Sequence, residues 1–126
     1  MKLSQRTEKE RKRLGKRGER LAAAHLKKKG MRILEKNYRT PMGEIDIIAT
    51  QNEELIFVEV KTRTSTEFGW PEEAVTHSKQ NTIRRAAWFY LRQFSDPKPP
   101  FRFDIISILV HPQTRKHDLH HFENAF

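Results

Sequence analysis

The chain has 126 residues, 33% of them charged and 36% hydrophobic, a length suited to one compact domain. It has no run of about 18 apolar residues and no apolar stretch after its basic start, so we expect a cytoplasmic protein without a membrane segment or secretory leader. It contains no cysteine, which excludes disulfides, thiolate nucleophiles and cysteine-ligated zinc.

Positive charge is concentrated near the N-terminus. The formal net charge is +9, yet residues 1–40 hold 15 Lys and Arg against 4 Asp and Glu, so the remaining residues are slightly acidic. This distribution predicts a flexible basic arm over residues 1–12 and a single domain over residues 13–126. The arm would contact the phosphates of a nucleic acid. A solubilising tail is the alternative reading of the same charge.

The first predicted element is a helix from Leu14 to Gly30, because apolar residues recur there at helical spacing. Three lysines, 27–29, occupy its last turn, where cations suit the helix dipole. Residues 31–38 read as a short strand or an extended link, and residues 39–43 as a turn.

Two strands joined by a tight hairpin come next. Residues 44–50 and 55–62 are rich in aliphatic and β-branched side chains, and residues 51–54 connect them. Strict alternation would place Ile45, Ile47 and Ala49 on one face, with Ile48 and Phe57 on the other. Apolar side chains on both faces indicate a sheet covered on both sides by helices, which is typical of the α/β class.

The C-terminal half completes this pattern. A helix start is predicted at residues 70–73, where a proline and two acids follow a tryptophan. A longer helix over residues 79–94 carries an apolar stripe that would cover one face of the sheet. Residues 101–110 form a strong strand, and residues 119–122 a short strand at the edge.

The hairpin brings two acids together. A turn centred on Asn52 and Glu53 pairs residues whose numbers sum to 105, which sets Asp46 opposite Glu59 and Glu44 opposite Lys61, with all four side chains on one face. Glu44 and Lys61 can form an ordinary ion pair. Asp46 and Glu59 would repel each other within strongly apolar strands. Two carboxylates at that spacing suit Mg²⁺ or Mn²⁺, so we expect a metal site here.

Lys61 adds a third component, because alternation returns it to the face that holds Glu59. An ammonium group beside a metal-bound water can orient that water or stabilise the charge of a transition state. The set Asp46, Glu59 and Lys61 is therefore suited to phosphodiester hydrolysis.

These residues belong to a longer ordered set of motifs that resembles a known family. The set comprises Gly18-Glu19 with Ala22, Asn37-Tyr38-Arg39, Gly43-Glu44-Ile45-Asp46, Phe57 to Arg63, Phe68-Gly69, Lys79 and Arg102-Phe103-Asp104. It looks like the YraN-like endonuclease family, over roughly residues 14–125. That family is similar to the PD-(D/E)XK nuclease superfamily, with its restriction-endonuclease-like and Holliday-junction-resolvase-like fold. The resemblance implies an α/β fold with a central mixed β-sheet flanked by α-helices.

The resemblance also implies roles for individual residues. Asp46 and Glu59 would be metal-binding acids, Lys61 the catalytic lysine and Glu19 a third metal ligand, although Glu19 can also be read as an exposed helix-stabilising residue. Lys79 would contact a phosphate or simply be solvated. Glu44 and Asp104 would lie behind the site, with Arg39 and Asp104 as an ion pair. The other residues expected to bind nucleic acid are Arg39, Arg63, Lys16 and Arg17.

The expected function is a Mg²⁺- or Mn²⁺-dependent nuclease acting on DNA rather than RNA, with branched or junction DNA among its candidate substrates. The alternative is a DNA- or RNA-binding protein whose nuclease site is vestigial. We expect no membrane partner and leave a homodimer open.

Other chemistries lack support in the sequence. The C-terminal histidines 111, 117, 120 and 121 have no compact ligand spacing, and neither a phosphate-binding glycine loop nor a serine nucleophile motif occurs. The aromatic residues Trp70, Trp88, Phe89 and Tyr90 could stack on bases, but such residues at helical spacing usually pack into a core.

Overall fold

A computed structural model describes residues 7–126. Within this range the chain forms two long helices, one 3-10 turn and five strands. In chain order these are α1 (Glu8–Lys28), β1 (Arg32–Thr40), β2 (Gly43–Gln51), β3 (Glu54–Arg63), the 3-10 turn (Pro71–Ala74), α2 (His77–Leu91), β4 (Phe101–Val110) and β5 (His117–Phe122). The strands lie in the order β1-β2-β3-β4-β5, and only the β3–β4 pair is parallel among them. This mixed sheet between helices confirms the predicted α/β class and is consistent with a restriction-endonuclease-like fold.

Each face of the sheet carries its own core. On one face, Ala22 and Leu26 of α1 pack against the aliphatic side chains of β2, β3 and β4. On the other face, Ile83 and Leu91 of α2 pack with Phe57 and its neighbours. The apolar residues predicted on both faces are thus covered from both sides.

Helix α1 begins earlier than its apolar pattern predicts. Thr7 caps it by accepting a hydrogen bond from the backbone N–H of Glu10 at 3.1 Å. Residues 8–12 of the predicted flexible arm are therefore helical, while residues 1–6 lie outside the described residues. Three basic residues of the predicted arm, Lys9, Arg11 and Lys12, therefore lie on a helix that packs against the sheet.

Gly18 lets α1 approach β3 closely. A Cβ atom at this position would lie 1.8 Å from Thr62 Oγ1 and 3.0 Å from Thr62 Cβ. The absence of a side chain at Gly18 therefore sets the distance between α1 and the end of β3, which is the end that carries Lys61.

β1, the 3-10 turn and α2 differ most from their predictions, while β2, β3 and β5 extend beyond theirs by one or two residues at an end. β1 is a full strand rather than a link. Residues 70–73 give only a 3-10 turn, and the second helix starts at a separate cap, Thr76, whose hydroxyl accepts from Lys79 N. This helix ends at Leu91, before the predicted Phe94. In the part of the chain that the structure describes, no helix has both the length and the apolar character needed to cross a membrane.

Candidate active site at the fork between β2 and β3

The predicted register of the hairpin is confirmed for the five pairs next to the turn, whereas the predicted pairs Asp46–Glu59 and Glu44–Lys61 are not part of the β2–β3 ladder. Residues 47–51 pair with residues 58–54, and each pair of numbers sums to 105. Asn52 and Glu53 both have positive φ, as a tight two-residue turn requires. Asp46 and Glu59 are the next positions along the two strands, so the turn brings these acids to neighbouring places.

The paired strands separate beyond Ile47 and Val58, and we call the place where Asp46 of β2 and Glu59 and Val60 of β3 meet the fork. Ile47 and Val58 are the last backbone pair before the fork, and beyond them Asp46 Oδ2 accepts a hydrogen bond from the backbone N–H of Val60 at 2.8 Å. The carboxylate of Asp46 thus replaces a carbonyl as the acceptor of that N–H. This contact fixes Asp46 in the fork beside Glu59.

The fork also changes which face the start of β2 presents. Ile45 packs in the same core as Ile48 and Phe57, on the α2 side, instead of joining Ile47 and Ala49 as strict alternation predicted. That prediction was wrong because the strand does not keep its period of two through Asp46. Asn37 of β1, between the residues that pair with Ile45 and Ile47, has a φ of 51° and marks the same irregularity.

Glu59 is a buried acid with an unsatisfied oxygen. Its exposed fraction is 3%, and its Oε2 has no hydrogen-bond partner among the described residues. Burial first, and the neighbouring Asp46 charge second, raise the pKa of Glu59 to about 8, although Lys79 and Lys61 act in the opposite direction. Without a bound metal ion, Glu59 therefore retains its proton at neutral pH.

Two lysines lie near this acid. Lys61 follows Glu59 by two positions on β3, and Lys79 reaches it from the first turn of α2, with Nζ 3.9 Å from Glu59 Oε1. The structure thus places Lys79 beside the Glu59 carboxyl, which is its ion-pair partner whenever that group is ionised, rather than leaving it simply solvated as one reading of the sequence had it. Its side chain remains 40% exposed, so it borders both the buried acid and solvent.

Glu19 approaches from α1, as predicted, but on the side of Glu44. Burial first, then the charge of Asp46, raise the pKa of Glu19. The amide of Asn37 fits best when its nitrogen donates to Glu19 Oε1 at 3.0 Å and to Glu44 Oε1 at 3.1 Å. Sequence reasoning placed Asn37 in a motif without assigning it this bridging role.

Asp46 and Glu59 provide some of the ligands that a divalent cation needs. Asp46 and Glu59 offer hard carboxylate oxygens, and the unpartnered Oε2 of Glu59 is an acceptor that a cation would satisfy. Within residues 7–126, however, no three His, Asp or Glu side chains are grouped so as to hold a metal ion. The predicted set of Glu19, Asp46 and Glu59 is thus represented by the Asp46–Glu59 pair, with Glu19 nearby.

Comparison with known proteins places the chain in a family. A sequence model described as "Uncharacterised protein family UPF0102" matches residues 18–108. The chain is 49% identical to a UPF0102 protein of Alkaliphilus oremlandii over 117 residues, covering 91% of this chain and 98% of the relative. It is 47% identical to a UPF0102 protein of Syntrophomonas wolfei over 113 residues, covering 90% and 96%.

The chain belongs to the UPF0102 family. This confirms the family part of the resemblance to YraN-like proteins. A third UPF0102 protein, from Moorella thermoacetica, is 44% identical over 116 residues, covering 92% of this chain and 97% of the relative. The matched residues include Glu19, Asp46, Glu59 and Lys61, so the whole fork lies within the family's shared segment.

The ion pairs predicted around the fork of this UPF0102 protein form with different partners. Arg39 lies 4.0 Å from Glu44, its cross-strand neighbour, which replaces both the predicted Arg39–Asp104 pair and the predicted Glu44–Lys61 pair. The prediction failed because the strands separate at Asp46, so that Lys61 is no longer the cross-strand neighbour of Glu44, and because Asp104 is fully buried.

Asp104 instead anchors a buried polar network on the α1 side of the sheet. It is fully buried and accepts hydrogen bonds from the Arg102 guanidinium at 3.0 and 3.2 Å, and from the Asn124 N–H at 2.9 Å. His121 Nε2 lies 2.7 Å from Asp104 Oδ2, and its other ring nitrogen lies 3.1 Å from His25 Nε2. Sequence reasoning missed this network, although a histidine at an apolar helical position, His25, was its one visible signal.

The remaining basic residues of the prediction are dispersed. Lys16 is exposed on α1, and the Arg17 guanidinium donates to the carbonyl of Arg115 at 2.6 Å. Arg63 ends β3, two residues after Lys61, and lines a surface groove with Arg11 of α1. Of these three residues, only Arg63 therefore lies on β3, the strand that carries Glu59 and Lys61.

Proposed function

We propose that this UPF0102 protein is a metal-dependent nuclease of the PD-(D/E)XK superfamily that hydrolyses phosphodiester bonds in DNA, including branched or junction DNA, in the cytoplasm. The observation that carries the proposal is the fork itself. A buried carboxyl with an unpartnered oxygen, Glu59, lies beside a second acid and between two lysines. A purely structural position gains nothing from this arrangement, since burying repelling acids is costly.

Asp46 and Glu59 are the residues that would hold Mg²⁺ or Mn²⁺, with Glu19 near enough to assist. Such an ion, when bound, lowers the pKa of a coordinated water and polarises the phosphate. The protein's own part is to fix Asp46 through the Val60 N–H and to keep Glu59 in a low-dielectric position. Glu59 must release its proton before it can act as a ligand.

The lysines supply the positive charge that the reaction needs. Lys61 lies on the strand of Glu59 and is placed to stabilise the negative charge that develops on the phosphoryl group. The Nζ of Lys79 lies 3.9 Å from Glu59 Oε1. If Glu59 ligates a metal ion, the Lys79 ammonium group would be available to a phosphate oxygen. These roles make Lys61 the catalytic lysine and Lys79 a substrate-positioning residue.

The test is a panel of end-labelled branched, duplex and single-stranded DNA incubated with Mg²⁺ or Mn²⁺. The parent should cleave at least one substrate only when the metal is present, and Lys61→Ala should lose that cleavage. Lys116→Ala removes the same charge from an exposed position far along the chain and should behave like the parent. Metal-independent or Lys61-independent cleavage would contradict the proposal. Binding without any cleavage would favour a DNA- or RNA-binding protein with a vestigial site.

A further inference from the structure

A surface groove leads away from the fork along the N-terminal half of α1. One depression, beside Glu19 and Lys61, is also lined by Arg11, Leu14 and Thr62. A second depression is lined by the same three residues and continues to Arg63 and Phe68. The two depressions adjoin, because they share Arg11, Leu14 and Thr62, and together they are called the channel, with Lys61 in the first depression and Phe68 in the second.

The far end of this channel holds an aromatic ring that the fold does not use. Phe68 lies in the loop between β3 and the 3-10 turn, and 82% of its surface is exposed. This is the largest exposed fraction among the large hydrophobic residues that the structure describes. Burying the ring would be favourable, so folding alone does not explain why it is left exposed to water.

The charge along the channel narrows the choice of partner. Arg11 and Arg63 line the second depression, and no acidic side chain among residues 7–126 lines it. Arginines beside an exposed ring match a polymer that carries a phosphate on every unit and a flat base on every unit. An apolar peptide would match the ring but not the positive charge beside it.

We infer that Phe68 is a stacking platform for an unpaired base, and that the channel takes a single-stranded nucleic acid segment adjoining the scissile phosphate. Bases in an intact duplex are stacked on each other and cannot cover the ring, so Phe68 would select substrates with unpaired nucleotides next to the cut. This inference deepens the proposed function and rests on it for the direction of the strand towards Lys61.

The inference can be tested by binding alone, without cleavage. Fluorescence anisotropy in chelator measures the affinity of the parent for a labelled thymidine oligomer of roughly 12 nucleotides, a length within the usual range for single-strand grooves. A duplex of the same length is the comparison, and a uridine oligomer shows whether the strand is DNA or RNA. Because no metal is present, the outcome does not depend on nuclease activity.

Phe68→Ala should weaken single-strand binding about tenfold, as expected for loss of one base–aromatic stack, and should leave duplex binding within about twofold. Phe68→Tyr should retain the parent's affinity, whereas Phe68→Leu, apolar but not aromatic, should lose it. Trp88→Ala removes another exposed aromatic residue, 56% exposed on α2 away from the channel, and should have no effect.

Equal single-strand affinity in the parent and Phe68→Ala would overturn the inference, as would an equal loss on single strand and duplex or a parent that does not bind single strands. Retained binding by Phe68→Leu would also overturn it, because a generic apolar contact would then be sufficient. Absence of cleavage by the parent with these binding results intact would refute the proposed nuclease and leave the stacking platform standing.

Discussion

At the scale of single residues, the most unusual group is Glu59. Burial and the charge of Asp46 raise its pKa to about 8, so the folded protein retains a proton that the unfolded chain loses near its ordinary value. Between these two values the folded state binds more protons, and its stability therefore falls as the pH rises, by up to about 1.4 kcal/mol per pH unit for one proton.

Glu59→Gln should remove the part of the fall in stability with pH that Glu59 causes. In chelator, urea unfolding at several pH values between about 5 and 8.5 should show a smaller fall in the free energy of unfolding for the variant than for the parent. Glu53→Gln makes the same change in the exposed hairpin turn and should follow the parent. Parallel curves for the parent and Glu59→Gln would mean that Glu59 is ionised throughout.

Asp104 is also buried, but its pKa is lowered, whereas that of Glu59 is raised. Burial alone would raise its pKa, but hydrogen bonds from His121, Arg102 and the Asn124 N–H outweigh it and lower the pKa. The stability that Asp104 contributes is present above its unfolded value and is lost as the pH falls through the folded one.

Asp104→Asn should destabilise the protein by roughly 2 kcal/mol at neutral pH, because Arg102 and His121 lose a buried charged partner and Arg102 retains only the more exposed Glu54 and Glu123. The thermal response to Mg²⁺ should persist, since the network lies on the α1 side of the sheet whereas Glu59 faces Lys79 of α2. Asp118→Asn, in an exposed pair with His111, should cost under about 1 kcal/mol. Similar melting temperatures for the two variants would refute the network's structural role.

At the scale of elements, the approach of α1 to β3 decides the shape of the site. Gly18→Ala should cost about 1 to 3 kcal/mol, because its Cβ would overlap Thr62 and push the helix away from the strand. It should also weaken the metal response, since Glu19 moves with the helix.

Gly15→Ala is the matched control on the same helix. A Cβ atom there meets nothing within 4 Å, so the greater helix propensity of alanine should raise stability by up to about 1 kcal/mol. Thermal melts of both variants, with and without Mn²⁺, measure the two effects. A Gly18→Ala variant as stable as Gly15→Ala would show that α1 does not depend on this contact.

The elements also show what sequence reasoning can reach. The β2–β3 register next to the turn followed from two turn residues, and the bounds of β4 from a largely apolar segment, because local turn geometry and burial fix both. The face of Ile45 could not be predicted, since it depends on the tertiary hydrogen bond between Asp46 and Val60 N. The start of α1 depends on a cap, Thr7, in a polar segment without periodicity.

In the candidate site, too, some residues could be predicted from the sequence and some contacts could not. Asp46, Glu59 and Lys61 were accessible because they lie on one hairpin, whose geometry the sequence determines. The ion pair between Lys79 and Glu59 joins α2 to β3 across the fold, and the Asn37 bridge requires a positive φ in β1. Spacing along the chain carries no information on contacts of these two kinds.

At the scale of the whole molecule, the charge is asymmetric, and the structure places part of the basic surplus on α1. The proposal predicts that exposed residues near its N-terminal end contact phosphates. Arg13→Gln with Lys16→Gln should therefore reduce the slope of log affinity against log salt on duplex DNA by about 0.9 for each phosphate that is no longer neutralised.

Lys27→Gln with Lys28→Gln removes the same charge from the other end of α1 and should change this slope less. Substitution is preferable to deletion of residues 1–12, because deletion would also remove the Thr7 cap and the first turn of the helix. Equal slopes for the two double variants would mean that the basic region acts as a diffuse solubilising charge.

The central claim is that Asp46 and Glu59 form a divalent-cation site, and thermal melting with and without Mn²⁺ tests it most directly. Saturating Mn²⁺ should raise the melting temperature of the parent, because the ion binds only the folded state. It should not raise that of Asp46→Asn, which in chelator should melt no lower than the parent, because the Asp46 charge that raises the pKa of Glu59 is gone. Asp96→Asn, the same change in an exposed loop, should retain the parent's response. A parent that does not respond to Mn²⁺ or Mg²⁺, or an Asp46→Asn variant that responds as the parent does, would contradict the claim.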